Sequence, residues 1–537
     1  MKSIRVLLLE FVLLAIFQGV AWAVVAPQEF QLGNPETSPV QTTTSISQHG
    51  ITWTFAEPVG YGQFVNGDYW VVDPGTGVKI TSISPVTSTL GTRVIHGSMV
   101  NPSTAMQGYD NSIAYRYDAT KNVGKGVSPS TPLVLTGNMS LVSTISYIDY
   151  PPNTTNNSYV YTASVLTSLT SPAPSGSFRP GVSGTNKTLH NVNSINRSLL
   201  KKLAVPSGQT VTASTLTTYA DMFQRVWLDH DPSFVARYMH QASSGMSNYY
   251  FARTFAEGAV LLHLNFTDEE KHSLLVNFIQ IGIDLYSYLD SGGLGWTPDG
   301  GNGNGRKWPI LFAGIMLDYA PMKNIGQVSG DYINIGVKNT NGTLTTPPGY
   351  KSFGEDGQTF YVDQYVVDIT SNSRWIADWR VTGRYLYSDV ETHTLTIAVP
   401  PEGTIIGPWN PDTRIELVFD GEGDDVLCRP YTSAMIGMPE FGIKYASSPR
   451  ESDSAWTANY RNIGTGAQAW SGFVLAARMM DAKGLWNHNA LFDYVDRYME
   501  ISAGRPDPFG YVVTGEFAGY RPTGILGAMW DTYRRLY

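Results

Sequence analysis

The amino-acid sequence predicts an α+β protein with several domains: an N-terminal antiparallel, sandwich-like β-rich module, then a helical (α/α) toroid-like domain carrying β insertions. Three observations predict it. From residue 51 to 205, short alternating or β-branched runs recur, separated by Gly, Pro, Asn and Ser. After Pro206 the apolar positions change to the 3.6-residue period of helices. Between about 326 and 445 that period lapses into irregular, strand-like text before helices resume. A chain of 537 residues has room for two or three domains with large cores.

Taken in order, Lys2 and Arg5 precede an apolar run from Val6 to Val20, and Ala21-Trp22-Ala23 fits a small-x-small cleavage site. Residues 1–23 therefore read as a secretory signal peptide, which places the mature chain outside the cell or in the periplasm. Residues 24–50 are Thr, Ser, Pro and Gln without periodicity and read as a flexible leader. The β-rich module, 51–205, follows. Its runs are Ile51–Phe55, Tyr69–Val72, Lys79–Ile83, Leu133–Leu135, Leu141–Ile145 and Tyr159–Leu166.

The helical domain, 206–537, begins with amphipathic segments at Thr215–His230 and Tyr249–Leu264. Asp268–Leu289 opens with Thr267-Asp268-Glu269-Glu270, a capped and acidic first turn, and Gly292-Gly293 closes it. Trp308–Leu317 continues the set. Inside the insertion, Thr359–Val362, Gly383–Tyr387 and Ile415–Phe419 read as strands. Ala467–Lys483, Asn489–Ile501 and the stretch from Gly524 to the C-terminus then return to helix. Helical hairpins with long loops at one end describe a toroid.

Composition narrows the function. The net charge is −9 with 15% charged residues, which argues against nucleic acid and anionic membranes as partners. No segment after the leader approaches 18 uninterrupted apolar residues, so no membrane insertion is expected. Cys428 is the only cysteine, which excludes a disulfide framework and a thiolate metal cluster. The 13 Trp, 31 Tyr and 21 Phe suit carbohydrate, because sugar C–H faces stack on aromatic rings. No cofactor and no metal are expected. The acidic turn Gly421-Glu422-Gly423-Asp424-Asp425 reads as a solvated loop or a structural calcium site, without EF-hand spacing.

The most informative stretch is Asp299-Gly300-Gly301-Asn302-Gly303-Asn304-Gly305-Arg306-Lys307-Trp308-Pro309. Its glycines permit unusual backbone conformations and close ligand approach. Asn302 and Asn304 can bind hydroxyls, Arg306 and Lys307 a carboxylate, and Trp308 offers an apolar face. Together they suggest a pocket for an anionic sugar, with a plain helix–helix linker as the alternative.

The phrases Gly62–Trp70, Gly305–Gly314 and Phe353–Gln358 resemble a group of large, secreted, mostly uncharacterised bacterial proteins. Their plan is similar to that of the toroid-bearing polysaccharide lyases, and this resemblance implies cleavage of a uronic-acid polymer by β-elimination. That chemistry needs a group to neutralise the carboxylate, a base and an acid. Asn459-Tyr460-Arg461-Asn462 supplies suitable residue types, with Tyr460 and Arg461 as acid/base and charge stabiliser and Asn459 and Asn462 as binding groups. His240 and Tyr249 are further cleft candidates. The rival chemistry is that of an inverting glycosidase, with acids Glu355 and Asp356 in a glycine-flanked turn and a second carboxylate from elsewhere. A non-catalytic glycan-binding protein is the third reading. In all three, the partner is an acidic polysaccharide or oligosaccharide.

Overall fold

The computed structural model describes residues 40–103, 106–113, 116–148, 159–230, 248–296, 303–329, 337–338, 344–345, 349–364, 367, 415–418, 425–428, 432–441, 467–511 and 521–537. At 248–250, 337–338, 344–345, 415–418, 425–428 and 467 the description is of the backbone. The chain is an α+β protein, and Val40–Tyr537 forms one unit.

Ten strands open the fold: β1 (Gln41–Gln48), β2 (Ile51–Gln63), β3 (Tyr69–Val72), β4 (Val78–Ser84), β5 (Ser88–Leu90), β6 (Arg93–Ile95), β7 (Ser98–Val100), β8 (Leu133–Leu135), β9 (Met139–Ser146) and β10 (Val160–Leu169). Eight of them form one sheet in the order β7-β9-β10-β3-β2-β4-β8, with β1 added to β2, while β5 and β6 pair as a hairpin. The alternation of Ile51, Trp53 and Phe55 with half-exposed Thr52 and Thr54 follows the two-residue period of a strand with one buried face. Purely antiparallel pairing does not hold: β10 runs parallel to β3, with Leu166 opposite Tyr69. Thr, Ser and Gln between 41 and 48 are also strand rather than leader, because β1 pairs along β2 from Gln48↔Ile51 to Gln41↔Tyr61. A polar edge strand carries no apolar alternation, so the sequence pattern is silent there.

The helical part comprises α1 (Ala213–Gln224), α2 (Asn248–Leu261), α3 (Asp268–Asp290), α4 (Lys307–Met316), α5 (Ala320–Lys323), α6 (Gly354–Gln358), α7 (Ala467–Met479), α8 (Lys483–Trp486), α9 (Asn489–Ser502) and α10 (Gly524–Tyr533). Between them lie the short ladders β11 (Val337–Lys338) with β12 (Leu344–Thr345), β13 (Thr359–Tyr361) with β16 (Pro439–Phe441), and β14 (Ile415–Val418) with β15 (Asp425–Cys428). The Thr267 cap of α3 forms as the sequence predicts: its hydroxyl accepts the Glu270 amide at 3.2 Å, and the Glu270 carboxylate accepts the Thr267 amide at 2.8 Å. One large apolar core unites α1, α2, α3, α4, α7, α9 and α10.

β9 and β10 are buried on nearly all positions because both sheet faces are covered. One face packs on the β2–β4 side. On the other, Val142, Val160, Ala163 and Val165 meet Val182, Val226 and Leu228. Arg179 pins this seam. It donates to Asp68, in the β2–β3 turn, at 2.5 Å, and to Asp284 of α3 at 2.8 and 2.6 Å. Burial raises the Asp284 carboxyl, and the Arg179 guanidinium pulls it back.

Candidate functional site

Two motifs singled out in the sequence fold against each other. Gly303 and Gly305 have φ of 77° and 85°, a region that favours glycine. Gly305 is required a second time by packing, since a Cβ there would lie 2.8 Å from Ala252 Cα on α2. Across from it, Gly354 donates its amide to Gly303 O at 3.2 Å, and a Cβ on Gly354 would lie 2.7 Å from the Gly303 carbonyl carbon. No side chain but glycine fits at that contact.

α4 has no cap of its own, because its N-cap residue is Arg306 in helical conformation. Glu355 of α6 supplies one. Its Oε2 accepts the Gly305 amide at 2.9 Å and its Oε1 the Lys307 amide at 3.4 Å, where the helix dipole favours negative charge. Lys307 turns its ammonium onto Asp356 and onto Trp486 O at 2.7 Å, while Trp486 Nε1 donates to Asp356 at 2.7 Å. Arg306 donates to Asp229 from Nε at 2.7 Å and Nη2 at 3.3 Å, and to Asn304 O at 2.6 Å. Its guanidinium carbon stands 3.7 Å from the centre of the Phe251 ring. Thr359 donates its single hydroxyl proton to Glu355 O at 2.9 Å. His488 Nε2, 2.8 Å from that hydroxyl oxygen and 3.0 Å from Thr359 O, is therefore the protonated ring nitrogen.

These geometries correct the reading of the loop. Arg306 and Lys307 are 0% exposed, and each is committed to a carboxylate, so neither presents a free cation to a ligand. Asn304 is buried as well. Trp308 is no open stacking face: it lies in the core, stacked on Trp486 with ring centres 6.1 Å apart and planes inclined by 14°. The alternative acids Glu355 and Asp356 are both fully buried. Tyr249 sits on α2, with only its backbone described. Asn302, His240, Asn459, Tyr460, Arg461 and Asn462 lie outside the described residues, as do residues 1–23, whose sequence reads as a signal peptide, and the acidic residues Glu422 and Asp424. Asp229, Trp486, Thr359 and His488 join the site unannounced. Apart from Glu355, four residues before Thr359, their partners stand tens to hundreds of residues away, and a single sequence carries no signal for such pairs.

The electrostatics single out Glu355. Burial, then the neighbouring Asp356 carboxylate, pushes its pKa up to about 7, while the amide donors and Lys307 pull it down. Burial also lowers the Lys307 ammonium, with Asp356 opposing. A carboxyl that changes protonation near neutral pH can transfer a proton in either direction. Among the described residues, no group of three or more His, Cys, Asp or Glu is placed to hold a metal ion, and no helix is long and apolar enough to cross a membrane. The chain matches no protein-family model, no curated protein and no solved structure.

Proposed function

We propose that this protein is an exported, carbohydrate-active enzyme that cleaves an acidic polysaccharide, with Glu355 as its proton-transfer group. One observation carries the reading: a buried carboxyl with a pKa near 7 lies where the glycine-asparagine loop meets α6. The charged residues around it, Arg306, Lys307, Asp229 and Asp356, form a rigid base for that loop, and fixed supporting residues are what precise chemistry needs. In this reading the helices complete a toroid and the sheet folds over as a sandwich.

On the described residues, hydrolysis has more support than β-elimination. A general acid with a raised pKa is what glycoside hydrolysis requires. The described cations that would neutralise a uronate are both spent on carboxylates. β-Elimination rests on Tyr460 and Arg461. The deciding experiment incubates the protein with a panel of uronic-acid and neutral polysaccharides, and follows new reducing ends and ultraviolet-absorbing unsaturated ends separately. Reducing ends without unsaturation, abolished by Glu355→Gln in a protein of unchanged fold, support the reading. Unsaturated ends that survive Glu355→Gln and vanish in Tyr460→Phe move the chemistry to β-elimination. Full turnover by Glu355→Gln sinks the role of Glu355 in either case.

A further inference from the structure

Strand β10 is buried at every position but one. The exception is Tyr161, which is 51% exposed. It lies where the β9–β10 ladder slips: Val160 pairs with Ser146 and Thr162 with Ile145, so Tyr161 is the residue that the register skips. Such a bulge re-aims a side chain, and here it gives solvent an aromatic ring from an otherwise buried strand. That ring stands edge-to-face with Tyr147, centres 5.3 Å apart and planes at 82°. The backbone beneath is fixed from one point. Tyr147 donates its amide to Tyr159 O at 2.9 Å, and Arg93 of β6 donates to Tyr147 O at 2.8 Å and to Tyr159 O at 3.4 Å. Asp110 holds the same guanidinium through bonds of 3.0 and 2.6 Å. Arg93 and Asp110 are both buried, so this anchor brings no uncompensated charge to the two tyrosines. Further along β10, Ala163 and Val165 pack with Val226 and Leu228, in the segment that leads into Asp229, the partner of Arg306. The platform is thereby joined through packed residues to the base of the candidate site.

We propose that Tyr161, backed by Tyr147, is a stacking subsite for a pyranose ring of a polysaccharide chain, on an element other than those that hold Glu355. A solvent-facing tyrosine offers a flat apolar surface to sugar C–H bonds and a hydroxyl to the sugar's own hydroxyls. A ring fixed in advance loses little freedom on binding. A lipid surface would call for basic residues around an apolar patch, whereas Arg93 is committed to Asp110 and the chain carries a net charge of −9. Stacking reads the C–H face that neutral and acidic sugars share, so the subsite adds affinity for the chain without reading its carboxylates. The inference rests on the carbohydrate part of the proposed function, and not on Glu355 or on cleavage.

Affinity electrophoresis of the full-length protein through gels containing alginate, polygalacturonate or xylan tests binding without requiring turnover. Wild type should be retarded by at least one of these polymers. Tyr161→Ala should raise the dissociation constant about tenfold or more, as loss of an aromatic anchor does, with little change in Tm. Tyr161→Phe should keep most of the retardation, because the ring remains. Equal retardation of wild type and Tyr161→Ala overturns the proposal, and so does retardation of neither. Binding to phosphatidylcholine vesicles in place of polysaccharide, lost in Tyr161→Ala, would overturn it in favour of a membrane contact. Retardation that depends on Tyr161 in a protein that cleaves none of the polymers would keep this subsite and sink the enzymatic reading instead.

Discussion

Arg306 and Asp229, 77 residues apart, form an ion pair through the guanidinium Nε at 2.7 Å, with side chains 0% and 1% exposed. The planar fork suits a carboxylate, and Phe251 covers its face, so the pair is shielded from water. Removing one member leaves the other charged and buried. That asymmetry makes the pair a structural commitment of the loop.

Arg306→Ala should therefore destabilise the protein by about 3–5 kcal/mol, the cost of an abandoned buried charge. Arg306→Lys should recover only part of this, because an ammonium cannot reproduce the fork. Urea unfolding of the three proteins measures both. Arg306→Ala with wild-type stability would return the residue to the ligand-binding role that its sequence suggests.

Gly305→Ala should cost more than a left-handed backbone alone. Gly305 combines a φ of 85° with a Cβ position 2.8 Å from Ala252 Cα. Gly292 has a φ of 103° and open space around its Cβ position, so Gly292→Ala measures the conformational part. The conformational penalty is on the order of 1 kcal/mol, and the clash should add a further loss of about 1–3 kcal/mol. Equal unfolding midpoints for the two variants would show that α2 yields freely at Ala252.

Much of the fold is legible in the sequence, for local reasons. The Thr267–Glu270 capping box, the alternation at Ile51–Phe55 and the period change after Pro206 are each written within a few residues of where they act. β1 escapes because its polar text resembles a leader, and the parallel β3–β10 pair escapes because strand order depends on contacts remote in sequence. The two motifs of the candidate site are legible, and they fold against each other, but their polarity is not. Arg306 and Lys307 look like ligand-facing cations until Asp229 and Asp356 are found beside them. Residue type states what a side chain can bind, and the partner folded against it decides what it does bind.

Lys307 and Asp356 should couple strongly. Among the described residues, Lys307→Met leaves Asp356 buried with only the Trp486 donor, and Asp356→Leu leaves the ammonium its bond to Trp486 O but no carboxylate. Each single variant should lose about 3–5 kcal/mol, whereas the double variant should recover much of it by replacing the pair with apolar groups. A double-mutant cycle reads the difference. Strict additivity would mean that the two side chains do not share a bond in solution.

The Glu355 carboxyl gives stability a pH dependence of defined sign. Its pKa is raised from 4.5 to about 7, so between those values the folded chain binds more protons than the unfolded one. Stability from this group is fully present below pH 4.5 and is lost as pH rises towards 7. At about 1.4 kcal/mol per unit, the loss across the window is roughly 3 kcal/mol. His263, driven down to about 3 by burial and by Lys271 and Lys201, works in the opposite sense, so its contribution falls away as pH drops from 6.5 to 3. The two effects offset each other between 4.5 and 6.5, and the wild-type profile alone does not separate them. Glu355→Gln removes one of them. The wild-type minus Glu355→Gln stability, from urea unfolding at intervals from pH 4 to pH 9, should fall through the 4.5–7 window and stay level above it. A difference that stays flat across that window would mean that Glu355 titrates at its ordinary value, and the proton-transfer role proposed for it would fall too.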